Sequence, residues 1–171
     1  MRGNMHAALG TVIGATAVVS TQNYSAGFIF MGCCILGSLF PDIDLPESRL
    51  GHAVKPVSML LQKMFGHRGF IHTPLNAALL TLIYYLLTRA IEPGAFRIVA
   101  FGFLCGFFAH LLQDTFTKGG IMWLFPIRLK VHFTNIGSDS IWCIVITGIL
   151  CIASFMLLYR VPDISRWLLQ V

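Results

Sequence analysis

Apolar residues gather into five runs, at about 6–20, 26–40, 74–91, 98–113 and 141–159, and polar residues are swept into the segments between them. A membrane-spanning helix needs about 20 predominantly apolar residues. Only the last run approaches that length. The pattern predicts an all-α integral membrane protein, a bundle of about five membrane helices (four to five) in a single domain over residues 1–171. Thr21-Gln22-Asn23-Tyr24-Ser25 reads as a tight turn that makes a helical hairpin of the first two runs, either spanning or partly re-entrant. Pro41 is expected to end the second helix, because proline removes a backbone donor and its ring clashes with the preceding turn. Thr73-Pro74 has the cap-then-proline order that opens a helix, and Glu92-Pro93-Gly94 closes that helix before the fourth begins. No internal repeat or low-complexity tract is present.

Composition sharpens this picture. Of 171 residues, 56% are hydrophobic and 11% charged, where an ordinary soluble domain has roughly a quarter charged. With a mean hydropathy of +0.77, the apolar surface exceeds what one small core can bury, so lipid must cover the rest. Soluble, disordered and fibrous classes are excluded. Twelve Lys+Arg against seven Asp+Glu point, in such a chain, to anionic headgroups and topology. No basic tract supports nucleic-acid binding. The five cysteines lie in apolar runs without a CxxC pair, so neither a disulfide framework nor a thiolate zinc site is expected. Met1-Arg2-Gly3-Asn4 before an apolar run resembles a signal peptide, yet no clear small-residue cleavage site follows and His6 interrupts the run's start. The segment is expected to remain as a first helix.

Counting helices puts the N-terminus and the 41–73 and 114–140 loops on one side of the membrane, the loop face. The 21–25 and 92–97 turns and the C-terminus lie on the other. The loop face carries eight cations (Arg2, Arg49, Lys55, Lys63, Arg68, Lys118, Arg128, Lys130) against four on or bordering the turn face (Arg89, Arg97, Arg160, Arg166). By the positive-inside rule the loop face is cytoplasmic.

All six histidines (His6, His52, His67, His72, His110, His132) and five of the seven acids (Asp42, Asp44, Glu47, Asp114, Asp139) fall on that face or at helix ends opening onto it. Ionisable groups beside hydrocarbon are costly and usually mark a functional site. His110-Leu-Leu-Gln-Asp114 puts an imidazole and a carboxylate one helical turn apart, good spacing for a metal and equally for a buried pair bonded to each other. Pro41-Asp42-Ile43-Asp44 follows a helix's negative end, where carboxylates need a cation or are simply helix-ending acids. Gly66-His67-Arg68-Gly69-Phe70-Ile71-His72-Thr73-Pro74 delivers two imidazoles and an Arg to the start of the third helix. Thr115-Phe116-Thr117-Lys118-Gly119-Gly120 offers hydroxyls, a cation and a flexible backbone suited to phosphate, or is an ordinary loop. Asp139, in Gly137-Ser138-Asp139-Ser140, fits helix capping better than a metal role, which stays open. His52 and His132 read as exposed or headgroup-facing, and Trp123, Trp142 and Tyr159 as interfacial belt residues.

In order along the chain, His6, Asp42-Ile43-Asp44, Gly66-His67-Arg68-Gly69 with His72-Thr73, and His110 with Asp114, Thr117 and Gly119 resemble the YdjM family of bacterial inner-membrane proteins, over almost the whole length. The resemblance implies a metal-dependent hydrolase in the inner (cytoplasmic) membrane. More remotely, the order of His and Asp is similar to that of zinc-dependent phospholipase C and P1-type nucleases, all-helical phosphodiesterases with a multi-zinc cluster. Those chains supply further ligands from their own N-terminus and from a late Glu, and here only Asp139 stands near the second of these.

The expectation is therefore a membrane-embedded hydrolase in which His6, Asp42, Asp44, His67, His72, His110 and Asp114 bind one to three divalent ions, zinc above manganese given mixed imidazole and carboxylate ligands. Asp42 or Asp44 would orient or deprotonate water. Arg68 and Lys118, with Thr73 and Thr117, would contact a phosphoester of a lipid or lipid-linked substrate. A divalent-cation transporter, a b-type cytochrome and a non-catalytic membrane scaffold are the competing classes. A transporter needs a polar path to the opposite face, and a b-type cytochrome needs facing histidines without clustered aspartates.

Overall fold

The computed structural model describes residues 3–21, 23–88, 93–137 and 139–161. Gln22 of the first turn, Glu92 of the second and Ser138 ahead of the last helix lie outside them, as do Arg2, Arg89 and Arg166 of the charge count. The chain is an all-α membrane protein. Each of the five apolar runs is a helix: α1 Gly3–Ser20, α2 Tyr24–Leu39, α5 Pro74–Thr88, α6 Pro93–Thr115 and α7 Ile141–Tyr159. Two short helices, α3 Arg49–Ala53 and α4 Lys55–Phe65, lie between α2 and α5. Among the described residues, three segments are long and apolar enough to cross a membrane, Tyr24–Asp44, Arg97–Thr115 and Ile141–Tyr159, and Pro74–Leu87 is a shorter apolar helix. The polar first turn of α1 keeps it from that class, and α1 instead packs against α2, α6 and α7.

Local signals explain the ends. The Asn23 side chain accepts from the Ala26 N–H and caps α2. Thr73 caps α5 as expected, its hydroxyl accepting from the Asn76 N–H and donating to the Phe70 carbonyl. The cap of α7 is Ser140, which accepts from the Trp142 N–H, with Asp139 directly before it.

Three sequence expectations are refined. α2 stops at Leu39, just ahead of Pro41 as expected, but Pro41 does not end the helical path. It occupies the first turn of a 3-10 helix, Phe40–Asp44, that continues from α2, a position where the missing N–H costs nothing. Asp42 and Asp44 are therefore held on a helical extension. The 41–73 stretch, read as loop, is largely helical, because α4 presents an apolar stripe that is narrower than a membrane run. Trp123, expected in an interfacial belt, instead packs against the core cluster of Ala77, Phe107, Leu111 and Ile121 and donates its indole N–H to Thr115. Trp142 and Tyr159, at the two ends of α7, are exposed as a belt requires.

α2 and α6 cross closely because glycine leaves room for backbone. A Cβ on Gly106 would stand 1.9 Å from the Cys34 carbonyl oxygen, and one on Gly37 would stand 2.1 Å from that of Phe103. Small residues of this kind let helices associate in lipid, where apolar burial gives no net drive. The crossing brings the ends of α2 and α6 together with the start of α1 and the Gly66–Thr73 segment.

Candidate metal centre

At that meeting point His6, His72, His110 and Asp44 are fully buried, and Asp42 and Asp114 nearly so. Each of the three imidazoles is fixed through Nδ1. His110 Nδ1–H donates to the Ser38 carbonyl at 2.7 Å, which obliges that nitrogen to carry the proton. His72 Nδ1–H donates to Asp44 Oδ2 at 3.0 Å. Gln113 donates its amide N–H to the Met5 carbonyl at 3.2 Å, so its oxygen must face His6, whose Nδ1–H donates to it at 2.7 Å. All three Nε2 atoms then point inward, and none has a hydrogen-bond partner.

Around these nitrogens stand two carboxylates. Asp42 Oδ1 is 3.6 Å from His72 Nε2 and 3.8 Å from His110 Nε2. Asp114 Oδ2 is 3.7 Å from His110 Nε2 and 4.0 Å from His72 Nε2, and its Oδ1 is 3.6 Å from His6 Nε2. Two ligands at about 2.1 Å on a tetrahedral ion stand about 3.4 Å apart, so the set is close to the size a single ion draws together. Donor atoms of His6, Asp42 and His110 lie within 4.8 Å of one another, as do those of His72, His110 and Asp114, and of Asp42, His67 and His72. Buried lone pairs and carboxylates facing each other repel without a cation. Burial alone would lower the pKa of His72. The carboxylates of Asp42 and Asp44 outweigh it and hold that pKa raised to about 9, so an ion held there would have to displace a proton.

The expected ligands thus separate into two groups. His6, Asp42, His72, His110 and Asp114 converge. Asp44, expected as a ligand, spends Oδ2 on His72 and Oδ1 on His67 Nδ1 at 2.9 Å, so it orients imidazoles, as carboxylates beside metal-binding histidines commonly do. His67 is half-exposed at the edge of the cluster. Arg68 is buried with its Nε 2.9 Å from Asp114 Oδ2, and its Nη1 donates to Thr117 Oγ1 at 2.9 Å. Its charge is therefore balanced within the chain. Arg68 also has φ of 59°, a costly backbone state for a side chain of this size.

The proposed phosphate contacts are redistributed. The Thr73 hydroxyl is consumed by the α5 cap. Thr117 is buried, donating to the Asp114 carbonyl and accepting from Arg68. Lys118 is exposed and its backbone N–H donates to Ile136. Gly119 makes room for Arg68, since a Cβ there would stand 1.7 Å from Nη1. His52 and His132 are exposed and outside the cluster. A cleft of about 630 Å³ opens above it, with Asp42, His67, Arg68, Arg49 and Asp139 in its wall. Sequence reasoning missed Gln113, whose only sign was its place between two candidate ligands, and Ser38, which acts through its backbone.

A family model described as YdjM inner membrane protein matches residues 1–169. The chain belongs to this family. It is 38% identical over 99 residues to "Inner membrane protein YdjM" of Escherichia coli (strain K12) and equally to that of Shigella flexneri, covering 56% of this chain and 48% of each relative. The chain thus spans about half the length of these curated relatives. It is also 29% identical over 135 residues to YvsG of Bacillus subtilis (strain 168), covering 77% of this chain and 78% of the relative. No solved structure matches. Family membership and three candidate spans make this a membrane protein of the inner-membrane YdjM type.

Proposed function

We propose that the chain is a membrane-bound, metal-dependent hydrolase acting on a phosphoester of a lipid or lipid-linked substrate. One observation carries the reading: three buried imidazoles, each locked by an outward Nδ1–H bond, turn unpartnered Nε2 atoms toward two carboxylates. This donor chemistry suits a divalent ion, zinc before manganese. His6, Asp42, His72, His110 and Asp114 would hold it. When bound, such an ion supplies Lewis acidity toward a phosphoryl oxygen and toward water. The chain's own groups do the rest. Gln113, Ser38 and Asp44 fix ring orientation, so the site is organised before substrate arrives. Arg68, braced by Asp114 and Thr117 in the cleft wall, would offer its guanidinium N–H groups to a phosphoryl oxygen, with its charge already offset by Asp114. Asp44 and half-exposed His67 form a hydrogen-bonded link from buried His72 to the cleft, a route by which a proton can leave. The balance of cations supports a cytoplasmic site face.

The test is metal analysis of purified protein alongside hydrolysis of a panel of phosphomonoesters and phosphodiesters. Wild type should retain a divalent ion and metal-dependent turnover, and His110→Ala and His72→Ala should lose both. Metal content unchanged in both variants refutes the site, and metal bound without turnover on any phosphoester refutes the reaction.

A further inference from the structure

Two segments that meet at Phe70, α4 through Phe65 and the stretch after α6 through Phe125, carry an apolar surface that no other part of the described chain covers. In α4, Val57, Leu60 and Met64 recur at helical spacing and are each more than half exposed. The helix buries Ser58 instead, on the side that packs against the Phe40–Asp44 turn. The second segment, between α6 and α7, exposes Leu124, Ile127, Leu129 and Phe133, each by 60% or more. Water would oppose so much apolar area on two adjacent segments.

Their location determines what can cover them. α4 is tied to the end of one candidate span at Asp44 and to the start of the apolar helix at Pro74. The second segment is tied to span ends at Thr115 and Ile141. Both are thereby held at the same membrane boundary. Charge is sorted to match. α4 contains Lys55 and Lys63 and no acid, and residues 115–138 contain Lys118, Arg128 and Lys130 and no acid. Asp42, Asp44, Asp114 and Asp139 are all turned to the cluster or its cleft.

We propose that α4 and the Leu124–Phe133 segment form an interfacial collar that beds its apolar side chains in the headgroup–acyl boundary and draws anionic phospholipid around the mouth of the cleft. An amphipathic helix with a cationic polar face lies in the plane of such a boundary, and juxtamembrane Lys and Arg attract anionic headgroups. The inference rests on the membrane reading alone and stands whether or not the centre hydrolyses anything. It also gives the proposed hydrolase its substrate class, since a collar of this kind concentrates anionic lipid at the site.

The experiment places single tryptophans in the full chain with its three native tryptophans replaced by Phe, reconstituted in bilayers of phosphatidylcholine with or without phosphatidylglycerol, each lipid available in acyl-brominated form. Leu60→Trp and Met64→Trp should emit at shorter wavelength than Lys63→Trp and be quenched at least threefold more strongly. At equal mole fraction, brominated phosphatidylglycerol should quench them about threefold more than brominated phosphatidylcholine. Neutralising Lys55, Lys63, Arg128 and Lys130 together to Gln should abolish that preference, as should raised salt. Water-like emission from both Leu60→Trp and Met64→Trp overturns the collar. Blue-shifted emission that lipid bromines do not quench means that a second copy covers the face, and also overturns it. Quenching with no lipid preference overturns the anionic assignment.

Discussion

The closeness of α2 and α6 makes Gly106 a sensitive point. Replacing it with Ala puts a Cβ 1.9 Å from the Cys34 carbonyl oxygen and 2.7 Å from the Ser38 nitrogen, both backbone atoms that cannot rotate away. Ordinary contact begins near 3.4 Å, so the helices must part by about 1.5 Å. His110 lies one turn further along α6, on the same face, and its 2.7 Å bond to the Ser38 carbonyl would stretch past any useful length. Overpacking costs about 1–3 kcal/mol and the lost hydrogen bond about 1 more, so Gly106→Ala should be less stable by about 2–4 kcal/mol. Thermal unfolding of detergent-purified protein in the presence of chelator should show this as a midpoint lower by on the order of 5–15 °C. Metal titration should show affinity reduced by about 10- to 100-fold, the usual effect of losing the group that orients a ligand. Gly32→Ala is the control. No atom lies within 4 Å of a Cβ there, so it should be neutral or stabilise by about 0.5–1 kcal/mol through lower chain entropy. Equal midpoints and metal affinities for Gly106→Ala and wild type would refute the argument.

Gln113→Leu removes the acceptor for His6 with little change in volume, and metal affinity should fall by about 10- to 100-fold in titration while membrane insertion stays intact. Arg68→Ala leaves Asp114 buried without its cation and should lower stability by about 3–5 kcal/mol in chemical unfolding. Arg68→Lys should keep metal content but reduce phosphoester turnover by about 10- to 1000-fold, because Lys cannot reproduce the guanidinium fork. Since the pKa of His72 is raised to about 9, its imidazolium must lose a proton when metal binds. Metal affinity should therefore rise by about tenfold per pH unit from 7 toward 9 and fall below pH 7, followed by competition titration with manganese. His52→Ala and His132→Ala should leave metal content unchanged.

The five helices were legible because lipid imposes one rule on every apolar run, and α7 matches its run at both ends. The convergence of His6, Asp42, His72, His110 and Asp114 was legible too, since counting helices puts them on one face. The roles within the cluster were not. Asp42 and Asp44 are alike in sequence, and only the 3-10 geometry after Pro41 turns one toward the Nε2 atoms and the other toward Nδ1. Arg68, read as a free cation for phosphate, pairs with Asp114 across 46 positions, a separation with no local signature. Gly119 looked like flexible backbone and is a socket. α4 was missed because a two-sided helix at a boundary is too short and too polar to register as a membrane run.

The bond between His6 and Gln113 joins residues 107 positions apart, which has a consequence for biogenesis. α1 is made first, and its histidine enters the membrane boundary before its partner has been translated. His72 follows, and His110, Gln113 and Asp114 arrive together near the end of α6. Until then no intermediate on the ribosome holds more than two of the three imidazoles. The proposed metal centre would therefore be complete only late in synthesis, once α6 has been made.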